Sequence, residues 1–275
     1  MIPRRMHKLT VAVFASVACC AYAQSGGGAE GPLPQPLASA VELKLTGAQR
    51  FRVGVVVRNA GRFPDKLGRL GTLLGEGTLT PLTEGYFWRI VINRSQVDSY
   101  SLSDGEPLVT LELLTDANGR LQGQTVTFTK RMAEGAEGRR HVPYLVASGL
   151  ALSGIVGMAL PSGRVAQGAT LGSMQESVSE ILAYLEPGVR ISTPLPALTV
   201  AGTRPFLGKT AVTAAARGPV SFMGTLGAMT VQSESQLDIA IDSGVPLGGL
   251  LKLAGPLPGG TGQMDFSVRA TLRPY

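Results

Sequence analysis

The stretch "FRVGVVVR", residues 51–58, places an apolar side chain at every second position. These positions are Phe51, Val53, Val55 and Val57. Arg52 and Arg58 fall on the opposite face. Successive side chains of a β-strand point to opposite faces, so this period of two predicts a strand with one buried face.

Further strand signals lie on both sides of this stretch. "YFWRIVIN", residues 86–93, is rich in aromatic and β-branched residues, which favour strands. "MDFSVRATL", residues 264–272, again alternates. In residues 107–128 two strand-like runs flank a turn at Asp116 to Gly119, where Asn-Gly favours the positive φ of a tight hairpin. With 36 Gly and 18 Pro to form turns, the sequence predicts a mainly β fold of antiparallel meanders.

Two of these regions resemble each other. "SQVDSYSLSDGEPL" begins at residue 95 and "SQLDIAIDSGVPL" at residue 235, and downstream Leu111 matches Leu250 as Gly123 matches Gly262. The similarity predicts related β halves over 41–138 and 191–275, unless it reflects chance among turn-rich strands. Each half has one apolar face to cover. We therefore expect the two halves to form a curved sheet, a half-barrel or a sandwich.

The segment between the halves, residues 139–190, has a different character. Residues 144–160, "YLVASGLALSGIVGMAL", carry no charge. This run is either a buried strand or helix, forming the floor of an apolar pocket, or a membrane span at the lower limit of length.

An amphipathic helix is predicted after this run. Ser173 and Glu176 have capping-box spacing, and Pro187 ends the pattern. One stripe of the helix is apolar: Met174, Val178, Ile181, Leu182 and Leu185. The helix is either a lid over a pocket or the cover of one sheet face. The candidate lining of an apolar pocket is Leu150, Ile155, Leu182 and Leu185.

The N-terminus has the pattern of an export signal over residues 1–23. Arg4, Arg5 and Lys8 precede an apolar run, and "AYA", residues 21–23, is a signal-peptidase site. We expect cleavage there, a flexible Gly- and Pro-rich lead over 24–40, and a periplasmic or secreted protein. The alternative is a lipid anchor on Cys19 or Cys20. Cleavage would leave no cysteine in the remaining chain.

Charge and motifs exclude several functions. Without Arg4, Arg5 and Lys8, 22 basic residues remain against 19 acidic ones, with no long basic stripe, so nucleic acid is not an expected partner. No catalytic, cofactor-binding or metal-binding motif is present, and no cofactor is expected.

His141 is expected on a loop surface. Asp242 lies in a sequence like the aspartic-protease loop, but no second such loop is present, so a turn is the preferred interpretation.

The export signal, the meanders and the turns "DANGRL" (116–121) and "DSGVPL" (242–247) resemble those of uncharacterised exported bacterial β proteins, some folded like lipoprotein-carrier half-barrels. The resemblance covers most of the chain after the signal and carries over no functional residue.

The first hypothesis is a periplasmic, non-catalytic protein that binds or carries an apolar small molecule or lipid. The alternative is a structural or interaction component of the cell envelope, with an envelope protein as partner. An enzyme comes third. Contact with a membrane is expected only through the signal.

Overall fold

The structure is a computed structural model that describes residues 32–275, apart from 62, 65, 104, 105, 130, 131, 133, 134, 136, 137, 159, 161–163, 225, 226 and 261. The expected export signal, both cysteines and residues 24–31 of the expected lead lie outside the described residues. Residues 32–40 of the lead contact the sheet, because Gln35 and Thr203 exchange two backbone hydrogen bonds of 2.7 Å.

The described residues form strands and helices in a fixed order. The strands are β1 Val41–Glu42, β2 Gln49–Asn59, β3 Leu70–Leu82, β4 Gly85–Val97, β5 Tyr100–Ser103, β6 Val109–Asp116, β7 Leu121–Phe128, β8 Arg164–Val165, β9 Thr170–Gly172, β10 Arg190–Thr193, β11 Leu198–Phe206, β12 Lys209–Gly224, β13 Gly227–Ala240, β14 Pro246–Pro256 and β15 Gln263–Pro274. The helices are α1 Gly138–Val156 and α2 Gln175–Leu185, and a 3-10 turn spans Pro258–Gly260.

Thirteen strands form one antiparallel sheet with the order β7-β6-β4-β3-β2-β15-β14-β13-β12-β11-β9. β5 pairs with β4, and β10 pairs with β12. The sheet is not closed into a barrel, since β7 and β9 are the two ends of this order. β2 and β15 pair near its middle. The expected mainly β fold with antiparallel meanders is confirmed.

The core lies between α1, α2 and one face of the sheet. Phe51, Val53, Val55 and Val57 of β2 are at most 1% exposed, as their alternation predicts. We call the face that carries them the inner face, and the other the outer face. α1 contacts strands on both sides of β2, from β7 to β14, so the sheet wraps around this helix. The fold is therefore a curved sheet filled by a helix.

The uncharged run is helical. α1 contains most of it, and a helix was one of the alternatives for this run. The residues of α1 that are buried include Tyr144, Leu145, Leu152, Ile155 and Val156. Among the described residues, no helix has both the length and the apolarity needed to cross a membrane.

The predicted amphipathic helix is present as α2, and its buried residues are four of the five in the predicted stripe. Its start differs by one residue from the capping-box expectation. The N-cap is Met174 and makes no side-chain cap, while Ser173 Oγ accepts a 3.4 Å bond from the Gln175 N–H. The helix ends before Pro187, as expected.

The two similar regions differ in their strands and in their register. β13, β14 and β15 are consecutive antiparallel strands, whereas β5 intervenes between β4 and β6 in the first region. Leu250 lies opposite Gln236, yet the equivalent Leu111 lies opposite Ile90. The residue equivalent to Gln236 is Gln96, which pairs with β5 instead. The likeness does not extend to individual pairs, and the duplication stays a prediction.

Candidate functional site

The predicted pocket residues lie in or beside the packed core. Ile155, Leu182 and Leu185 are at most 3% exposed, and Leu150 is half-buried on α1. A Cβ added to Gly249 of β14 would lie 2.7 Å from the Ile155 Cδ1, so this side chain packs directly on the sheet backbone. The cavity beside Ile155 holds about 10 Å³, room for no more than one water. In this conformation these positions act as core.

A larger groove of about 570 Å³ separates the sheet edges β7 and β9. Its floor consists of the C-terminal part of α1 and the first turns of α2. The lining residues are Arg120, Leu121, Gln124, Ser153, Gly154, Gly157, Met158, Leu171, Gly172, Ser173, Met174, Glu176, Ser177 and Glu180. The groove is polar and open, and none of the four predicted pocket residues lines it.

β7 forms one wall of this groove and is exposed on both faces. Its six residues between Leu121 and Phe128 are all exposed. The strand "LQGQTVTF" contains no charged residue and no proline. Natural edge strands are usually short or protected by charge, proline or a covering element, because an open edge pairs readily with other chains. At eight residues, β7 has none of these protections in its sequence, whereas the opposite edge β9 has only three residues.

The hydrogen-bond pattern shows which backbone groups of β7 are open. The Thr129 N–H donates to the Leu108 carbonyl at 3.2 Å, and residues of an antiparallel ladder alternate between bonded and outward positions. With Val126 opposite Leu111, the N–H and C=O of Gln124, Val126 and Phe128 therefore point away from β6. At the start of β7, the Leu121 N–H donates to the Gly157 carbonyl of α1 at 3.3 Å.

The groove carries hydrogen-bonding groups but no cluster suited to catalysis or metal binding. Arg120 lies at the β7 side, and Glu176 and Glu180 lie on α2. Ser153 Oγ already donates to the Gly149 carbonyl at 2.9 Å. Over the described part of the chain, no three His, Cys, Asp or Glu side chains are grouped to hold a metal ion. The groove can therefore bind polar backbone and side chains.

His141 is not on a loop surface, as the sequence had suggested. It lies in the first turn of α1 and is 3% exposed, with Nδ1 2.9 Å from the Oγ of Ser95, itself 2% exposed. The local run "RRHVP" looks like a loop, but α1 turns this side chain towards β4. Because both groups are buried, a substrate has no access to this serine–histidine pair.

Asp242 lies in an exposed turn after β13. Lys209 Nζ donates to its Oδ2 at 2.6 Å, and this bond holds the pKa of the Asp242 carboxyl below its usual value. The hydroxyl of Ser243 donates to Oδ1 and acts in the same direction. A carboxylate kept ionised by a neighbouring lysine fits the turn interpretation.

The outer face carries a buried charge network that sequence analysis missed. Arg204 donates to Asp238 through Nε at 2.9 Å and through a terminal nitrogen at 2.7 Å. Thr213 and Gln236 donate to the same carboxylate at 2.7 and 2.8 Å. Burial and Arg204 lower the pKa of nearby Arg269, and Glu234 opposes them. The network joins β11, β12 and β13 and has a structural role.

Comparison with known proteins adds little to this geometry. No protein family and no curated protein matches the chain. Among solved structures it is similar to a beta-barrel-like protein of domain of unknown function DUF1849 from Brucella abortus, with 12% identity, 82% of this chain and 98% of that chain covered, and a TM-score of 0.21.

Proposed function

We propose that the chain is an exported, non-catalytic binding protein of the cell envelope, and that it binds an extended segment of a partner protein on β7. The observation that carries this proposal is the long, uncharged edge strand with outward backbone groups beside an open groove. The export part of the proposal is supported by the N-terminal sequence alone.

β7 has the features that are needed for a partner to add a strand to the edge of the sheet. An added strand would pair its backbone with Gln124, Val126 and Phe128, while its alternate side chains would enter the groove. Backbone pairing supplies affinity for any extended segment. Side chains in the groove supply specificity, and there Arg120 and the α2 carboxylates would select the charge pattern of the partner.

The apolar-ligand hypothesis is favoured less by this geometry. A small molecule or lipid needs a pocket of roughly 300 Å³ or more, largely lined by apolar groups. The apolar cavity beside Ile155, between the helices and the sheet, has a volume of about 10 Å³. To carry a ligand at this place, α2 would have to move away from α1 and β10, which it contacts.

The experiment compares Val126→Pro with Val126→Thr. The Val126 N–H points outward, so proline removes one group needed by an added strand and no ladder bond to β6. Threonine keeps the N–H and the β-branched shape. A photo-crosslinking side chain at Gln124 in host cells reports the partner, and the same group at exposed Leu114 of β6 serves as the position control.

If a partner strand pairs with β7, the crosslinker at Gln124 should form an adduct with one peptide segment of a partner protein. This adduct should still form in the Val126→Thr variant and should be absent in the Val126→Pro variant. An adduct indifferent to Val126→Pro, or adducts only with copies of the same chain, would contradict the proposal. In parallel, mass spectrometry of an organic extract of the purified protein checks the carrier hypothesis. A retained apolar compound would favour that hypothesis instead.

A further inference from the structure

Pairing of β2 with β15 gathers arginines that lie far apart in the sequence. The residues are Arg50, Arg52 and Arg58 of β2 and Arg269 and Arg273 of β15, and alternation places them all on the outer face. We call these five residues the arginine ridge. From Arg50 to Arg58 the ridge extends roughly 26 Å at the usual rise of a strand. Asp265 is the one carboxylate at the outer positions of these two strands.

The charges of the ridge are compensated in part, by Glu76 opposite Arg52 and by Glu234 near Arg269. Arg52 lies between Arg273 of β15, a like charge that repels it, and Glu76 of β3, an opposite charge that offsets part of this repulsion. Arg52 lies 5.2 Å from the centre of the Tyr275 ring, and Tyr275 donates its hydroxyl to Glu76 at 2.9 Å. Within the described part of the chain, the guanidinium groups of Arg50, Arg58 and Arg273 make no ion pair. An external anion would relieve this repulsion.

A cavity suited to an anionic group lies at the Arg58 end of the ridge. It has a volume of about 700 Å³, and Arg58 and Arg69 contribute its charge. Leu70 also lines it and is 45% exposed. Tyr275 lies beside Arg52, towards the opposite end, and is 65% exposed. The ridge thus combines arginines with an exposed leucine and an exposed tyrosine.

We propose that the arginine ridge binds the surface of an anionic lipid bilayer. Guanidinium groups bind phosphate oxygens in pairs, and tyrosine and leucine suit the boundary between headgroups and acyl chains. The sheet wraps around α1, so its outer face is convex and β2 and β15 at its middle meet a flat surface first. A soluble polyanion would use the arginines but not Leu70. This inference does not depend on strand addition at β7.

Vesicle binding of the full-length chain tests the proposal. Neutral phosphatidylcholine vesicles are compared with vesicles containing phosphatidylglycerol. The N-terminal segment with Arg4, Arg5 and Lys8 is present in the native chain and in every variant, so its contribution is common to all of them. The expected result is binding at least about tenfold tighter to the anionic vesicles, lost at about 1 M salt, where the screening length is about 3 Å.

Matched variants distinguish the effect of the arginine ridge on vesicle binding from the effect of net charge. Replacing Arg52, Arg58 and Arg273 by Gln should remove the preference for anionic vesicles, whereas replacing exposed Arg89, Arg139 and Arg190 by Gln should leave it nearly unchanged. Should the ridge variant not fold, Arg58→Glu at the end of β2 gives the same comparison. The proposal would be overturned if both triple variants lost the same amount of binding to anionic vesicles, or if the native chain showed no preference for anionic vesicles. Binding to heparin without binding to vesicles would also overturn it.

Discussion

At the scale of single residues, Tyr144 of α1 fills the space that a side chain on Gly71 would need. A Cβ added to Gly71 of β3 would overlap the Tyr144 ring, and this tyrosine is 1% exposed. Gly71 is therefore required for close approach of the helix to the sheet. Its role could not be read from the sequence, because glycine is common throughout the chain.

Gly71→Ala should destabilise the protein by about 1–3 kcal/mol, since the ring and the helix must shift to make room. Gly123→Ala in β7 is the control, because a Cβ at this position meets no atom within 4 Å. Urea denaturation measures both changes. Equal midpoints for the two variants would show that α1 does not approach Gly71 as described.

Tyr144 also gives a prediction for alkaline pH. Burial, and then the nearby Asp98 carboxylate, raise the pKa of the Tyr144 hydroxyl from 10.0 to about 12. Because the folded state holds this proton more tightly, the stabilisation is complete below pH 10 and is lost as pH rises towards 12. Tyr144→Phe should lose less stability over this interval than the native chain, as measured by denaturation at each pH. If the stability of the two proteins fell equally with pH over this interval, the raised pKa of Tyr144 would be contradicted.

At the scale of elements, α1 shows that the local sequence pattern does not always predict the type of secondary structure. Its residues are apolar on nearly every side, so periodicity does not distinguish a strand from a helix. The strands of the sheet were easier to predict because one face meets solvent. The position of His141 was missed for a related reason, since its partner Ser95 belongs to a distant strand.

Ile155→Asp should prevent folding, because a carboxylate would be buried between α1 and Gly249 without a partner, at a cost of several kcal/mol. Leu150→Asp on the half-buried side of the same helix is the control and should lower the stability much less. Circular dichroism and thermal unfolding report both. A folded Ile155→Asp protein with the native melting temperature would show that the inner face is open to water.

At the scale of the whole molecule, the sequence predicts the class of the fold but not its layout. Alternation in residues 51–58 and 264–272 marks two half-buried strands and gives no sign that they pair. The arginine ridge was missed for this reason, since Arg52 and Arg273 become neighbours only in the sheet. The open edge of β7 also depends on the strand order, which local patterns do not contain.

The pairing of β2 with β15 also bears on how the chain reaches its structure. The centre of the sheet joins the first long strand to the last, so ribosomal synthesis of most of the chain precedes this contact. Contacts between residues so distant in sequence slow folding, because a long loop must close before they form. Until then two half-sheets expose apolar faces and unpaired edges, and such intermediates are the species that chaperones bind. The protein should therefore refold slowly from denaturant and depend on chaperones in the cell.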